Sequence, residues 1–377
     1  MAYAASRMMA RGPSEAWSVD PLSVAYYPGV GNPDLAARVG LIAGAGLSGL
    51  DFALPPSSPL RITGRLENAH GFGNETSGSY TFYLVPRDTA TGAPEPIGPL
   101  PDHDTDRDTF ELRNVPAGAW TLYMVFHPSS EDGWKWPPHL GRSVVNVVDT
   151  DVTGIVVPIE PNTHIEGRVV LHESAQGIDV TAIRPDLIND VPVPDTARLN
   201  PRLQVRRFVE PDGNFQITDV PQGPYRVTIM EHTLPDGVYL ESARMNGANV
   251  FGVPMIINAA SNGPLELELR GDGGRFEGRV VDAEEGGVGG ARVVLVPPAD
   301  RMNDPMAYLS ARTNGSGNFT IEGIRPGGYT AIAFGEGARP ERWQDAAVLA
   351  PFMTRGLRLD IDSGDRVRED IEIIPGR

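Results

Sequence analysis

Residues 315–329 read GSGNFTIEGIRPGGY, and the same pattern of turn and core residues occurs twice more in this chain of 377 residues. The earlier copies are PDGNFQITDVPQGPY at 211–225 and DRDTFELRNVPAGAW at 106–120. Their central phenylalanines, Phe110, Phe215 and Phe319, are 105 and 104 residues apart. A fixed period of this size, with turn residues between short alternating runs, predicts tandem copies of one all-β module.

Each copy of this signature predicts the same local structure. Asp-Gly or a similar pair before the phenylalanine is typical of a hairpin turn, because glycine accepts a positive φ at little cost. The phenylalanine and the Ile or Leu two residues later share one face of a strand and enter the core. A Pro-x-Gly turn follows, and the aromatic residue that closes each copy (Trp120, Tyr225 or Tyr329) begins the next strand. We expect these aromatic residues to be core and not a ligand site.

Alternation of apolar and polar residues predicts further strands on both sides of the signature. The opening strand of each module contains Gly-Arg, as in RITGRL at 61–66, HIEGRVV at 164–170 and RFEGRVV at 275–281. A second strand is predicted at YTFYLV (80–85), RLQVRRF (202–208) and ARVVLV (291–296). Each module ends in a strand pair, and a fourth copy of this ending occupies 37–56.

The repeats divide the chain into three full modules, which we predict at 58–161, 162–270 and 271–377. Residues 1–57 then form a partial module with terminal strands only. The joints between modules are short and two are rich in proline, which predicts stiff spacers. We therefore expect an all-β protein of tandem prealbumin-like or Ig-like β-sandwiches in an elongated rod. Only residues 339–349 predict a helix, and it is short.

Composition excludes several classes of function. The net charge of −17 disfavours binding to nucleic acid or to an anionic membrane surface. No run of about 18 apolar residues is present, so we expect no membrane span. The chain has no cysteine, which excludes disulfides, thiolate metal sites and cysteine nucleophiles. The first 17 residues do not have the pattern of a secretory signal, because Arg7 and Arg11 interrupt the apolar stretch.

The order of opening strand, Gly-Arg, second strand, Asp-x-x-Gly-x-Phe and Pro-x-Gly-x-Tyr resembles the carboxypeptidase regulatory-like domain. That resemblance covers nearly the whole chain, including Arg342, Trp343 and Asp345 near the C-terminus. It implies a prealbumin-like β-sandwich of the kind found in bacterial cell-surface and secreted proteins, and hence an extracellular location. It implies no activity, because the matching residues are turn and core positions.

Related-looking modules of surface adhesins cross-link themselves through a lysine–asparagine isopeptide bond. This chain has one lysine, Lys135, so its three modules cannot each contain such a bond.

Two segments are candidate sites. Asp102, Asp104 and Asp106 alternate in one loop with Asp108, and hard oxygen ligands of this kind can hold calcium. The loop has neither the glycine nor the glutamate of an EF-type site, so a solvated loop is the simpler interpretation. Trp134 and Trp136 in EDGWKWPPHLG place two rings on one side of an extended segment next to His139. This surface would bind a glycan or another protein, or the two rings would cap the sandwich.

The sequence repeats core and turn residues without repeating any polar constellation. We assign no catalytic residue and no cofactor, and we predict a non-enzymatic extracellular structural or adhesive protein. The partners expected are other copies of the chain or other surface proteins, with strand exchange through residues 1–57 as a route to a fibre. The alternatives are a carbohydrate- or matrix-binding accessory protein and a fragment of a larger secreted enzyme.

Strands of about six to eight residues at about 3.3 Å each are roughly 20–26 Å long. With the turns at both ends we expect roughly 35 Å per module, and therefore about 100 Å for three modules in line. We predict that small-angle X-ray scattering of the purified chain will give a maximum dimension of at least this size. A compact particle of the size expected for one globular domain would contradict the rod.

Overall fold

The structure is a computed structural model of the whole chain. It describes residues 27–29, 37, 39–40, 46, 48–51, 60–68, 78–87, 97–100, 108–130, 133–134, 138–190, 208–259, 263–335 and 343–374. Most of the predicted partial module at 1–57 lies outside these residues. The described part is all-β, with 24 strands and one short α-helix. No helix in this part is long and apolar enough to cross a membrane.

The chain separates into two compact units. The first contains Met1–Asn162, Val191–Gln204 and Pro221–Gly223, and the second contains Thr163–Asp190, Val205–Val220 and Pro224–Arg377. We call the predicted modules at 58–161, 162–270 and 271–377 repeats 1, 2 and 3. Repeat 1 therefore belongs to the first unit, whereas most of repeat 2 and all of repeat 3 belong to the second.

Repeat 1 is a sandwich of two sheets. Its strands are β1 Leu60–Glu67, β2 Gly78–Pro86, β3 Ile97–Leu100, β4 Thr109–Val115, β5 Gly118–Ser130, β6 Gly133–Trp134, β7 His139–Val147 and β8 Val152–Pro158. One sheet has the order β4-β1-β8, with β4 antiparallel and β8 parallel to β1. The other has the order β3-β2-β5-β6, and β7 also pairs with β5. The core lies between them and includes Phe82, Phe110, Trp120 and Met124.

Repeat 2 has the same plan with an added hairpin. Its strands are β9 Thr163–Leu171, β10 Pro185–Asn189, β11 Asn214–Val220, β12 Gly223–Ile229, β13 Tyr239–Met245, β14 Ala248–Asn249, β15 Met255–Ile257 and β16 Leu265–Arg270. The sheets have the orders β11-β9-β16-β13-β14 and β10-β12-β15. Short 3-10 turns lie at Glu173–Ala175, Val180–Ala182 and Glu231–Thr233.

Repeat 3 contains the remaining elements. Its strands are β17 Gly274–Val281, β18 Arg292–Val296, β19 Leu309–Arg312, β20 Asn318–Ile324, β21 Gly327–Phe334, β22 Leu357–Ile361, β23 Arg366–Arg368 and β24 Ile371–Ile374. The path is β19-β18-β21-β24-β17-β20, with β22 on β21 and β23 on β17. Helix α1, Ala346–Leu349, is capped by the Asp345 side chain and lies in the segment predicted to be helical. Two 3-10 turns, Pro305–Ala307 and Ala350–Arg355, complete the repeat.

The second strand of repeat 2 was predicted in the wrong place. The strand that pairs with β12 in the position of β2 and β18 is β10, at Pro185–Asn189. Its sequence, PDLIN, contains proline and aspartate, which are poor strand formers. The apolar alternation at 202–208 is stronger, so the sequence predicted the strand there instead. Residues 202–207 lie outside the described residues.

The signature residues are core, as predicted. Phe110, Phe215 and Phe319 are 3%, 5% and 5% exposed. Each phenylalanine is paired across the sheet with the glycine of the Gly-Arg motif, giving Gly64–Phe110, Gly167–Phe215 and Gly278–Phe319. In repeat 2 a Cβ added to Gly167 would collide with the Phe215 ring and would lie 2.7 Å from the Leu265 carbonyl oxygen. The glycine is thus required because the ring lies over it.

The turns also match the expectation. Gly213 and Gly317, immediately before the signature strands, have φ of 87° and 85°, and Asp108 has φ 55° at the corresponding place in repeat 1. In repeats 1 and 3 the closing aromatic residue stabilises the second turn through a hydrogen bond. The Trp120 indole N–H donates to the Pro116 carbonyl at 3.1 Å, and the Tyr329 hydroxyl donates to the Arg325 carbonyl at 2.7 Å.

The Gly167–Phe215 pair provides a test of the repeat alignment. Phe215→Ala should lower the free energy of unfolding by about 3–5 kcal/mol because it empties a core position. Gly167→Ala should lower it by about 1–3 kcal/mol because the methyl group displaces the ring and meets the Leu265 carbonyl. Both values can be measured by urea unfolding.

The double variant should cost less than the two single costs added together, because both changes disrupt one contact. Gly315→Ala is the matched control, since a Cβ at Gly315 meets nothing within 4 Å. Unchanged unfolding of Phe215→Ala would contradict the alignment.

Candidate functional site

The predicted tryptophan surface lies largely outside the described residues. Trp134 contributes its backbone to β6, opposite Ser129 of β5, but its side chain and all of Trp136 fall outside them. His139 begins β7, and its ring stacks on Phe126 with centroids 6.2 Å apart. His139 therefore packs on a core ring, and the binding role of the two tryptophans stays a prediction.

The predicted calcium loop cannot be placed either. Asp102, Asp104 and Asp106 lie outside the described residues, and only Asp108 of this series is described. Within the described residues no group of three or more His, Asp or Glu side chains could hold a metal ion.

The second unit contains a polar junction that the sequence did not predict. Its first part is the joint between repeats 2 and 3, where β16 ends at Arg270 and is followed by Gly271 and Asp272. Arg270 donates from Nε and Nη2 to the two carboxylate oxygens of Asp272, at 3.0 and 2.6 Å. This paired guanidinium lowers the pKa of Asp272 to about 2.

The backbone of the joint is also held at several points. The Gly271 N–H donates to Ser174 Oγ at 3.1 Å, and the Gly273 N–H donates to the Gly237 carbonyl at 2.8 Å. The Tyr239 hydroxyl lies 3.4 Å from Asp272, and its pKa is raised to about 12 by burial and by the nearby carboxylates. Stiffness was predicted for the joints that contain proline; this joint contains none, and these contacts hold it instead.

The second part of the junction centres on Arg226 of β12. Its Nε donates to Asp190 at 2.8 Å and its Nη1 donates to the Gly252 carbonyl at 2.8 Å, both within repeat 2. The same Nη1 lies 3.8 Å from a carboxylate oxygen of Asp304, which belongs to repeat 3. Asp304 is 7% exposed and also accepts from the Met306 N–H at 3.1 Å, which caps the 3-10 turn Pro305–Ala307.

The electrostatic state of Asp304 follows from this crowding. Burial raises its pKa, and the Asp190 carboxylate acts in the same direction. The Met306 N–H and the cations Arg226 and Arg301 oppose the rise without cancelling it. Two carboxylates therefore share one close guanidinium in a place from which water is largely excluded.

A third contact joins the repeats from the other side. Arg325, in the Pro-x-Gly turn of repeat 3, lies 3.3 Å from Glu241 of β13. Its guanidinium also lies over the Phe251 ring, 4.7 Å from the centroid. Both partners belong to repeat 2, so this arginine combines an ion pair with a cation–π contact.

A cleft of ≈ 940 Å³ runs along this junction and has both aromatic and charged side chains in its walls. Phe251, Tyr308 and Trp343 supply aromatic surface, and Arg301, Asp304 and Glu322 supply charge. Most of the charge is paired inside the protein, since Glu322 binds Arg275 and Asp304 faces Arg226. The cleft can hold a ligand of moderate size, but its charged groups are largely satisfied without one.

Comparison with known proteins gives distant resemblances only. No family model matches the chain, and no curated protein matches it. Among solved structures, the Bacillus anthracis TIE protein is 13% identical with a TM-score of 0.21; the match covers 86% of this chain and 59% of that one. A streptococcal ancillary pilin is 10% identical with a TM-score of 0.22, over 83% of this chain and 99% of that one.

BcpA, the major pilin subunit of Bacillus cereus, is 12% identical with a TM-score of 0.19, over 83% of this chain and 98% of that one. This chain thus spans less than two thirds of the TIE protein. TM-scores near 0.2 mean that little of the overall arrangement is shared, so these resemblances establish neither the fold nor the function of this chain.

The Arg270–Asp272 pair predicts a specific pH dependence. Because the folded pKa of Asp272, about 2, lies below its ordinary value of 3.8, its ionised form stabilises the fold. This contribution is complete above about pH 5 and is lost as the pH falls through the interval from 3.8 to 2. Asp272→Asn should therefore destabilise the second unit at neutral pH. The loss in the free energy of unfolding should be below about 1 kcal/mol, because the pair is partly exposed to solvent.

The difference between Asp272→Asn and the wild type should shrink toward zero near pH 2, as measured by urea unfolding across this range. Asp360→Asn, at an exposed position of β22, is the control and should show no such convergence. A difference that persists unchanged at low pH would contradict the assignment.

Proposed function

We propose that this chain is a non-enzymatic structural or adhesive protein of the cell surface or extracellular space, built from β-sandwich repeats that act as a spacer. The observation that carries this proposal is the threefold occurrence of the Gly–Phe pair with its turns. The residues that recur in all three repeats are core and turn residues, which determine the fold. A binding or catalytic constellation does not recur with it among the described residues.

The contacts between repeats 2 and 3 support a structural role, in which the protein holds these repeats in a defined orientation. Two arginines, Arg226 and Arg325, hold one repeat against the other. The Arg270–Asp272 pair holds the chain between them. A spacer requires such contacts, because a flexible joint would let neighbouring modules rotate freely. These residues act by position, and none of them has to touch a substrate.

The finer proposal is assembly into a fibre by strand exchange. The sequence of residues 1–57 predicts terminal strands without opening strands, and strands left without partners expose backbone groups that invite pairing with another chain. Head-to-tail repetition of such a contact builds an open filament. We propose that residues 1–57 of one copy supply this contact to the next copy.

A second candidate function is carbohydrate binding, which the cleft along repeats 2 and 3 favours. Aromatic rings and paired polar groups suit a neutral, hydroxyl-rich ligand, and the volume suits a short oligosaccharide. A glycan array probed with the full chain, with Trp343→Ala as the comparison, tests this candidate. Loss of a positive signal in the variant would support it, and an empty array would reject it.

The fibre is tested by deletion. Full-length chain should form species much larger than a monomer at high concentration in sedimentation velocity, and deletion of 1–57 should abolish them while repeats 1 to 3 stay folded by circular dichroism. A full-length chain that remains monomeric, or a deleted chain that still assembles, would reject strand exchange through this segment.

A further inference from the structure

We propose that Asp304 makes the contact between repeats 2 and 3 sensitive to pH, and that this contact tightens as the Asp304 carboxylate takes up a proton. The inference goes beyond a spacer role because it gives the spacer a condition under which its stiffness changes. It rests on the arrangement of charges around one arginine.

The first step is the balance of charge at the contact. Arg226 has one positive charge, and the Asp190 carboxylate already binds its Nε at 2.8 Å. When repeat 3 is in contact, Asp304 brings a second carboxylate to 3.8 Å from Nη1 of the same guanidinium. Two carboxylates then share the guanidinium of Arg226, and the negative charge of Asp190 disfavours the ionised form of Asp304.

Burial acts in the same direction as Asp190 and has the larger effect. Asp304 is 7% exposed, and a Cβ at Gly252 would lie 3.0 Å from its second carboxylate oxygen, which shows how closely the backbone of repeat 2 approaches. A carboxylate held in such a place favours its neutral form. Among the described residues, the charged groups that face it are Arg226, Asp190 and, on its own loop, Arg301. Arg301 donates to the Pro326 carbonyl and lies over the Tyr329 ring, and its charge opposes the rise in the pKa of Asp304 without cancelling it.

The pKa of Asp304 decides whether low pH strengthens or weakens the contact. Burial raises the pKa of Asp304 when the repeats are in contact, whereas separation would return the carboxyl to water and to its ordinary value. The contacting form therefore binds the proton more tightly than the separated form. By linkage, lowering the pH favours contact, and the gain is complete only below the pKa of the separated form.

The second contact between these repeats provides an internal reference. Arg325 and Glu241 lie 3.3 Å apart, and this is one cation with one carboxylate, so no negative charge is in excess there. Losing this pair should weaken the contact without changing how it responds to pH. The two contacts can thus be separated by substitution.

Hydrogen exchange of the Gly273 amide measures opening of the contact in the full-length chain, because this N–H donates to the Gly237 carbonyl of repeat 2 at 2.8 Å. After correction for the intrinsic exchange rate, protection in the wild type should rise as the pH is lowered from about 7.5 to about 4, close to the ordinary aspartate pKa of 3.8. The rise should be up to about tenfold for each unit by which contact raises the pKa of the carboxyl.

Asp304→Asn should be more protected than the wild type at about pH 7.5 and should lose the pH response, because the amide imitates the neutral acid. Glu241→Gln is the matched control and should lower protection at every pH while keeping the response. Asp190→Asn is the second variant, and it should reduce the response without abolishing it, because it removes one of the two causes of the raised pKa of Asp304 and leaves burial, the larger one, in place.

Three results would overturn the proposal. They are wild-type protection that falls or stays constant as the pH is lowered, an Asp304→Asn chain that keeps the wild-type response, and a Glu241→Gln chain that loses it. If Asp304→Asn does not fold, as judged by circular dichroism, the Asp190→Asn chain decides the matter: a pH response as large as that of the wild type overturns the proposal, and a smaller one supports it.

Discussion

The contact between a phenylalanine ring and the glycine opposite it in the neighbouring strand is the interaction on which each repeat depends. In repeats 1 and 2 the ring occupies the space that a Cβ would need, and a carbonyl oxygen of the next strand, from Ile155 or Leu265, closes the other side. In repeat 3 the Glu369 carbonyl oxygen takes this space, and the Phe319 ring lies 3.4 Å from the position of the Cβ. A side chain at the glycine would push the two strands and the ring apart. Because the pair joins the opening strand to the signature strand, it also fixes their register.

The same inner core is combined with three different outer faces. In repeat 1 the outer face of the β2-β5-β7 sheet is apolar, and Tyr83, Val125 and Leu140 are buried there in a cluster of their own. In repeat 3 the corresponding face packs against α1 and the 3-10 turn after it, with Leu349 and Phe352 in the contact. In repeat 2 the corresponding face is polar, and Arg226 projects from it toward Asp304. The outer faces, and not the cores, therefore decide what each repeat contacts.

How far the sequence predicted the structure follows from this division. The core and the turns repeat, so Phe110, Phe215 and Phe319 could be assigned by comparing the copies with one another. The junction could not be found in that way, because its residues are not repeated from one copy to the next and lie far apart in the chain. They are Arg226, Asp304 and Arg325. One missed element did have a local signal. The β13-β14 hairpin turns at Asn246-Gly247, both with positive φ, and an Asn-Gly pair between apolar alternations is a strong hairpin signal.

The junction is polar where a larger apolar contact would hold the repeats together more simply. Replacing buried ion pairs by well-packed apolar residues is often neutral or stabilising, so Arg226 and Asp304 are a poor choice if stability alone matters. Ion pairs and cation–π contacts do, however, require particular distances and directions, and an apolar face can slide. For a spacer whose orientation must be defined, a contact that permits one arrangement has more value than a stronger contact that permits several. The buried carboxylate of Asp304 destabilises this arrangement while it is ionised, and the same effect couples the contact to pH.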